Sequence, residues 1–280
     1  MHVGALALDR PLLNGSGVVD VVSADEDWNL PDEAVIKLGA FVTKTLTRDA
    51  RAGNEEPWAE AIDSGTLINA VGLANPGVDA ANRDWTGLAA RLGMPVIASI
   101  GGSVDDLPEL ARLITSAGWA EALELNLSCP NVDGGLVAAD PAAASAAVAA
   151  VRAVTELPIF AKLTPACAAP AQVARAVEAA GADAVTCGNT MPIRAAAPDG
   201  SPLLGAGFHG GMSGVGLHLI ALRLVAEVAE AVAIPVVGLG GIDGEAAAQR
   251  MLDAGADILA VGTGAVLDPG LIARLAAVLQ

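Results

Sequence analysis

Only three lysines occur in this chain, Lys37, Lys44 and Lys162, and the last two close apolar, strand-like runs. On a chain that otherwise prefers arginine, that placement is hard to ascribe to solubility. A lysine at a strand end can donate to a ring carbonyl or stabilise negative charge gathering on a ring. Between those two lysines runs Glu124-Leu-Asn-Leu-Ser-Cys-Pro-Asn131, which begins as a strand and ends in a loop fixed by Pro130. Strand alternation sends Asn126 and Ser128 to one side and leaves Cys129 at the start of the loop. An accessible thiolate there can act as nucleophile or base, although a lone cysteine is more often a small buried hydrophobe. Asn69, Asn126, Asn131 and Asn189 all fall at strand ends or just beyond them. Each amide offers donors and an acceptor, which suits a ring of alternating C=O and N–H groups. Any one of them could instead cap a loop.

Glycines supply the second kind of chemistry. Gly238-Leu-Gly-Gly-Ile242 and Val261-Gly-Thr-Gly264 flank a helical stretch near the end of the chain. Backbone N–H groups freed by such glycines, with a helix N-terminus beside them, form an anion site. The pattern predicts a phosphorylated ligand without saying which; tight turns alone would also use these residues. Asn14-Gly-Ser-Gly17 and Thr43-Lys-Thr45 end the first two strands, where a small segment lets a flat ring lie against backbone.

The elements that must position these groups alternate regularly. Apolar runs at 12–17, 40–45, 95–100, 122–128, 158–164, 184–189, 235–240 and 258–262 read as strands. Stretches of helical period lie at 107–117, 141–154, 171–180, 219–231 and 245–254, several followed by a glycine stop. Runs apolar on both faces suit parallel strands covered by helices. Eight such units predict a closed (β/α)8 TIM barrel in one domain, residues 1–280, with an open doubly wound sheet as the rival. Two stretches exceed a minimal barrel, 47–75 and 190–214, and both follow strand ends, the face where barrel active sites assemble.

Bulk properties narrow the class. A formal charge of −17 argues against nucleic acid, because phosphate contacts need a basic face. No run of about 18 apolar residues marks a membrane span, and residues 1–10 lack the pattern of a secretory signal. Cys129, Cys167 and Cys187 form no CxxC pair, so no disulfide framework, zinc site or four-thiolate iron–sulfur cluster is expected. A reducing cytoplasm fits best. His2, His209 and His218 show no ligand spacing and read as incidental, His209 in its long loop having the best chance of meeting a ligand or partner.

Taken in order, Gly15-Ser-Gly17, Thr43-Lys-Thr45, Asn69-Ala-Val-Gly-Leu-Ala-Asn-Pro-Gly77, Asn126-Leu-Ser-Cys-Pro-Asn131, Lys162, Asn189, Gly210-Gly-Met-Ser-Gly214, Gly240-Gly241 and Gly262-Thr-Gly264 cover nearly the whole chain. In this it resembles the dihydroorotate dehydrogenases, and among them the class 1B catalytic subunits. The resemblance implies a flavoprotein of pyrimidine biosynthesis oxidising dihydroorotate to orotate. It implies FMN near Ser16, Gly17, Lys44, Thr45, Asn126, Lys162, Gly214, Gly240, Gly241, Gly262 and Thr263. Around the substrate it implies Lys44, Asn69, Gly72, Leu73, Asn126, Asn131, Asn189 and Thr190, with Cys129 as the base that removes the C5 proton. Class 2 enzymes carry serine at the position of Cys129. A homodimer, or a heterotetramer with a subunit bearing FAD and a [2Fe–2S] cluster, also follows from the resemblance; that this chain holds no metal is expected from its cysteine and histidine spacing. The first motif has Gly15 where the family more often has alanine. The remaining alternatives are a related FMN barrel acting on uracil or thymine, a flavin-binding scaffold subunit, and a flavin-free phosphate-binding barrel. The charge disfavours a tRNA dihydrouridine synthase.

Overall fold

The computed structural model describes residues 1–18, 37–128 and 137–279. Cys129 and Asn131, two of the expected site residues, lie outside the described residues. Eight parallel strands form the centre: β1 (Leu12–Asn14), β2 (Phe41–Val42), β3 (Val96–Ile100), β4 (Ala122–Asn126), β5 (Ile159–Leu163), β6 (Ala184–Cys187), β7 (Val236–Leu239) and β8 (Ile258–Val261). They run in spatial order β1-β8-β7-β6-β5-β4-β3-β2. The ring closes where Leu13 bridges Ala40 in parallel, and there a side chain extends the ladder. Asn14 Nδ2 donates to Val42 O at 2.7 Å, and Val42 N donates to Asn14 Oδ1 at 2.8 Å. The barrel, not the open sheet, is therefore the fold.

Around the strands lie α1 (Val78–Asp84), α2 (Leu88–Leu92), α3 (Asp106–Ala117), α4 (Pro141–Arg152), α5 (Pro170–Ala179), α6 (His218–Ala229), α7 (Glu245–Asp253), α8 (Thr263–Leu267) and α9 (Leu271–Val278). Their starts follow local chemistry. Asp140 caps α4 by accepting from Ala142 N at 2.9 Å, and Pro141 occupies the first turn, where its missing N–H costs nothing. In α3 the buried residues Leu107, Leu110, Ala111 and Ile114 recur at helical spacing and face the strands.

Period-two alternation divides the interior into two layers. Outward residues such as Leu123, Leu125, Ala161 and Leu163 join the helices in the main core. Leu13, Val42, Ile97, Ala122, Phe160, Ala184, Val237 and Ile258 form a separate cluster with Val3, Leu6 and Leu8. Those last three belong to or adjoin an antiparallel hairpin, His2–Val3 with Leu6–Ala7, that plugs the N-terminal end. Burying Phe160 there contributes about 1.5–3 kcal/mol. Further along the same strands, toward their C-terminal ends, the inward side chains become polar.

Two corrections concern the expected strands and loops. The first two strands are shorter than the runs 12–17 and 40–45; after the first, the chain turns at once past Asn14, with Val18 N donating to Gly15 O at 3.2 Å. The stretches 47–75 and 190–214 are not simply loops. They pair as one antiparallel sheet in the order Met191–Arg194, His209–Gly214, Thr66–Asn69, Ala59–Ala61, with Gly211 opposite Asn69. Glycine and proline depress strand propensity in these segments, so only pairing across the barrel mouth makes them strands.

Candidate active site

Inside the C-terminal half of the barrel, Glu124 on β4 and Lys162 on β5 form an ion pair at 3.2 Å, with side chains only 5% and 6% exposed. The same carboxylate oxygen, Oε1, accepts from Ser99 Oγ at 3.2 Å. Ser99 Oγ in turn lies 3.0 Å from Thr45 Oγ1, and Thr45 Oγ1 lies 3.2 Å from Ser16 Oγ, which donates to Thr43 O at 2.8 Å. Three hydroxyl protons serve four contacts. Carbonyl and carboxylate oxygens only accept, so Ser16 gives its proton to Thr43 O and Ser99 gives its own to Glu124. Thr45 then donates to one neighbour only.

Lys162, Thr45 and Ser16 face a cleft of about 650 Å³ at the barrel mouth. Every described residue expected at the site lines it. β1 and β2 bring Ser16, Gly17, Lys44 and Thr45. Gly17 has φ 76, and a Cβ there would stand 3.0 Å from Lys44 Nζ, so the ammonium lies over a glycine that leaves it room. β4, β5 and the end of β6 bring Asn126, Lys162, Asn189 and Thr190. β7 and β8 bring Gly240, Gly241, Gly262 and Thr263, and the mouth sheet brings Asn69, Gly72, Leu73 and Gly214.

The asparagines separate by role. Asn189 Nδ2 donates to Asn126 Oδ1 at 3.2 Å and also to Ser128 Oγ, while Ser128 Oγ donates to Asn126 Oδ1 at 2.7 Å. This triangle holds two amides against one side of the cleft. Asn75, by contrast, is structural: its Oδ1 accepts from Thr47 N and Gly77 N, and its Nδ2 donates to Thr47 Oγ1 and to Leu73 O at 2.7 Å. It thereby holds Leu73, whose φ of 58 is uncommon for a residue with a side chain, at the cleft edge.

On the glycine side, Gly241 has φ 67, and an added Cβ would come within 2.7 Å of His218 Cβ, so packing and backbone both demand glycine. Gly262 differs. An added Cβ there would sit in ordinary van der Waals contact with Val18 Cγ2 at 3.7 Å and Leu239 Cδ1 at 3.8 Å, so no clash with the protein dictates glycine at this cleft-lining turn. Thr263 Oγ1 donates to Ser213 Oγ at 2.8 Å, tying the first turn of α8 to the mouth sheet.

Three residues were not foreseen in a functional setting: Glu124, Ser99 and Ser213. Their only signal was a polar side chain within an apolar or glycine-rich run. His218 is not incidental. It is buried, its Nε2 accepts from Arg250 Nε at 3.2 Å, and Nδ1 therefore donates to Gly240 O at 3.0 Å. His209 stands exposed on the cleft rim. Cys167 and Cys187 are buried, and burial pushes both thiols up, Cys187 strongly, which disfavours a thiolate at either.

The family model described as dihydroorotate dehydrogenase matches residues 2–279. The chain is 40% identical over 282 residues to "Dihydroorotate dehydrogenase B (NAD(+)), catalytic subunit" of Desulforudis audaxviator, covering 99% of this chain and 90% of that one. The protein of the same name from Anoxybacillus flavithermus is 39% identical over 288 residues, covering 100% and 90%. That of Bacillus pumilus is 38% identical over 273 residues, covering 96% and 86%.

Proposed function

The chain belongs to the dihydroorotate dehydrogenase family, and from that membership we propose that it oxidises dihydroorotate to orotate on FMN held across the barrel mouth. The observation that carries this reading is the meeting of Lys44, Lys162 and the Asn126–Ser128–Asn189 triangle with the Gly240–Gly241 and Gly262–Thr263 turns in one cleft. Its volume of about 650 Å³ falls in the range of small-molecule and cofactor sites. The residues present fit a flavin mononucleotide: glycine turns lining the cleft for the phosphate, and two lysines for an electron-rich ring.

In this reading Ser16, Gly17, Lys44, Thr45, Asn126, Lys162, Gly214, Gly240, Gly241, Gly262 and Thr263 hold the cofactor. Lys44, Asn69, Gly72, Leu73, Asn126, Asn131, Asn189 and Thr190 surround the substrate. When bound, FMN supplies a hydride acceptor, which no side chain can. Cys129, as thiolate, takes the proton from C5 while a hydride leaves C6 and the C5=C6 double bond forms. Ser128, which precedes Cys129 in the chain, lines the cleft, and the other two cysteines are buried away from such chemistry. The asparagine amides orient the pyrimidine ring, and the lysines favour negative charge on the ring that receives electrons.

The relatives' name, catalytic subunit, supports a partner in this protein too: a subunit with FAD and a [2Fe–2S] cluster that passes electrons to NAD, joined in a heterotetramer built on a homodimer. Among the described residues no group of three His, Cys, Asp or Glu could hold a metal. No helix among them is long and apolar enough to cross a membrane. A cytoplasmic setting, expected from the cysteine spacing, is part of the same proposal.

The visible spectrum of the purified chain before and after anaerobic addition of dihydroorotate tests the core of the reading. Loss of flavin absorbance is expected. A yellow protein that bleaches only with dihydrouracil or dihydrothymine overturns the substrate, and one that stays colourless with added FMN overturns the cofactor.

A further inference from the structure

Glu124 is buried at the centre of the barrel yet does not line the cleft; its partner Lys162 does. Directly below, the same inward rows carry Ala122 and Phe160, part of a wholly apolar layer. Space in this layer could thus be filled by hydrophobic side chains. A buried ion pair is weak evidence for stability, since desolvation offsets most of its attraction and apolar replacements are often neutral or better. Strand register puts Lys162 beside both Asn126 and Thr186, so a lysine bound only to solvent or ligand would have several partners to choose from. Instead Lys162 donates to Glu124 Oε1, and Ser99 holds that oxygen from the other side. Ser99 Oγ also lies 3.0 Å from Thr45 Oγ1, whose single proton serves either Ser99 or Ser16.

We propose that Glu124 is a positioning residue that fixes Lys162 at the cleft floor and, by its negative charge, sets how strongly that floor favours a reduced ring. The inference rests on the flavin reading above. With the carboxylate present, the floor carries a compensated pair. Without it, the lysine's positive charge acts uncompensated in a poorly screened interior, where charge interactions are several-fold stronger than in water. Reduction adds electron density to the ring, so the uncompensated cation favours the reduced form. Glu124→Gln keeps the size and an oxygen acceptor for Ser99 and Lys162 but removes the charge.

The measurement is the ratio of reduced to oxidised bound flavin at equilibrium with a reference dye, made on the flavin-loaded protein and its variants. Glu124→Gln is expected to raise that ratio at least tenfold, about 30 mV for a two-electron couple. Lys162→Met is expected to lower it, and the double variant to return toward the parent. A purely structural role for the pair would change melting temperature and leave the ratio alone. A ratio for Glu124→Gln within twofold of the parent overturns the proposal. Should Glu124→Gln fail to fold, the double variant is compared with Lys162→Met. There loss of the lone anion must raise the ratio at least tenfold, and an unchanged ratio overturns the proposal as well. A parent protein that binds no flavin brings down the flavin reading and this inference with it. A yellow parent with unresponsive variants brings down this inference alone.

Discussion

The two ends of the barrel use the same strands for opposite purposes. At the N-terminal end, an acid stands one residue before each of three strands. Glu121, before β4, accepts from Val96 N at 2.8 Å; Asp183, before β6, accepts from Ile159 N at 2.9 Å; Asp257, before β8, accepts from Val236 N at 2.9 Å. Each side chain satisfies the first N–H of the preceding strand, a group that is costly to leave unpaired. Arg152 ties this end further, donating to Asp183 Oδ2 at 3.2 Å and to Leu157 O at 2.9 Å. At the C-terminal end the polar side chains of Lys162, Asn126 and Asn189 are equally well held, but they border an open cleft. One end uses acids to close ladders, the other to set charge beneath a ligand site. Barrels commonly divide stability and reactivity in this way, and variants at the two ends sharpen the division.

The largest expected effect lies at the cleft. Cys129→Ser should lower turnover at neutral pH by about 10²–10⁴-fold, the range of general-base catalysis, while orotate still binds. Steady-state rates with orotate titration check this; near-normal turnover removes Cys129 from the mechanism. Next comes Lys162→Ala, which leaves Glu124 buried without its partner. A cost of about 3–5 kcal/mol in urea unfolding is expected, with weakened flavin retention.

At the other end, Asp183→Ala removes an acceptor for Ile159 N and a partner of Arg152, and should cost about 1–3 kcal/mol. The flavin affinity and spectrum of that variant should match the parent, and a weakened flavin site would break the comparison. The smallest effect concerns pH. Burial raises the Cys187 thiol above its ordinary value of 9.0. The unfolded thiol therefore loses its proton first, the unfolded state binds fewer protons, and stability falls as pH rises above 9.0. Cys187→Ala should flatten this fall by up to about 1.4 kcal/mol per pH unit, as read from urea midpoints at pH 9 and 10.

Much of the barrel was legible in the sequence because each strand announces itself locally. Runs apolar on both faces mark parallel strands, and a glycine after several of the helices marks their ends. The cleft was legible through chemistry that had no local purpose, as with Lys44, Lys162 and the asparagines at strand ends. The mouth sheet escaped notice because His209–Gly214 contains three glycines and owes its extended form to Thr66–Asn69, a partner distant in the chain. His218 escaped because nothing near it in sequence reveals the Gly240 carbonyl and Arg250 that it joins.

By itself, then, the sequence determined the order and faces of the barrel strands, which residues could bind a ring or phosphate, and the family to which those motifs point. Tertiary structure alone decided that Asn14 would complete the seam at Val42, that Glu124 would meet Lys162 across adjacent strands, and that Asn75 would support Leu73 while Asn69 faced the cleft. The physical reason is that periodicity specifies which side of a strand a residue faces, whereas its neighbour on that side is chosen by register and closure, and these depend on all eight strands packing at once.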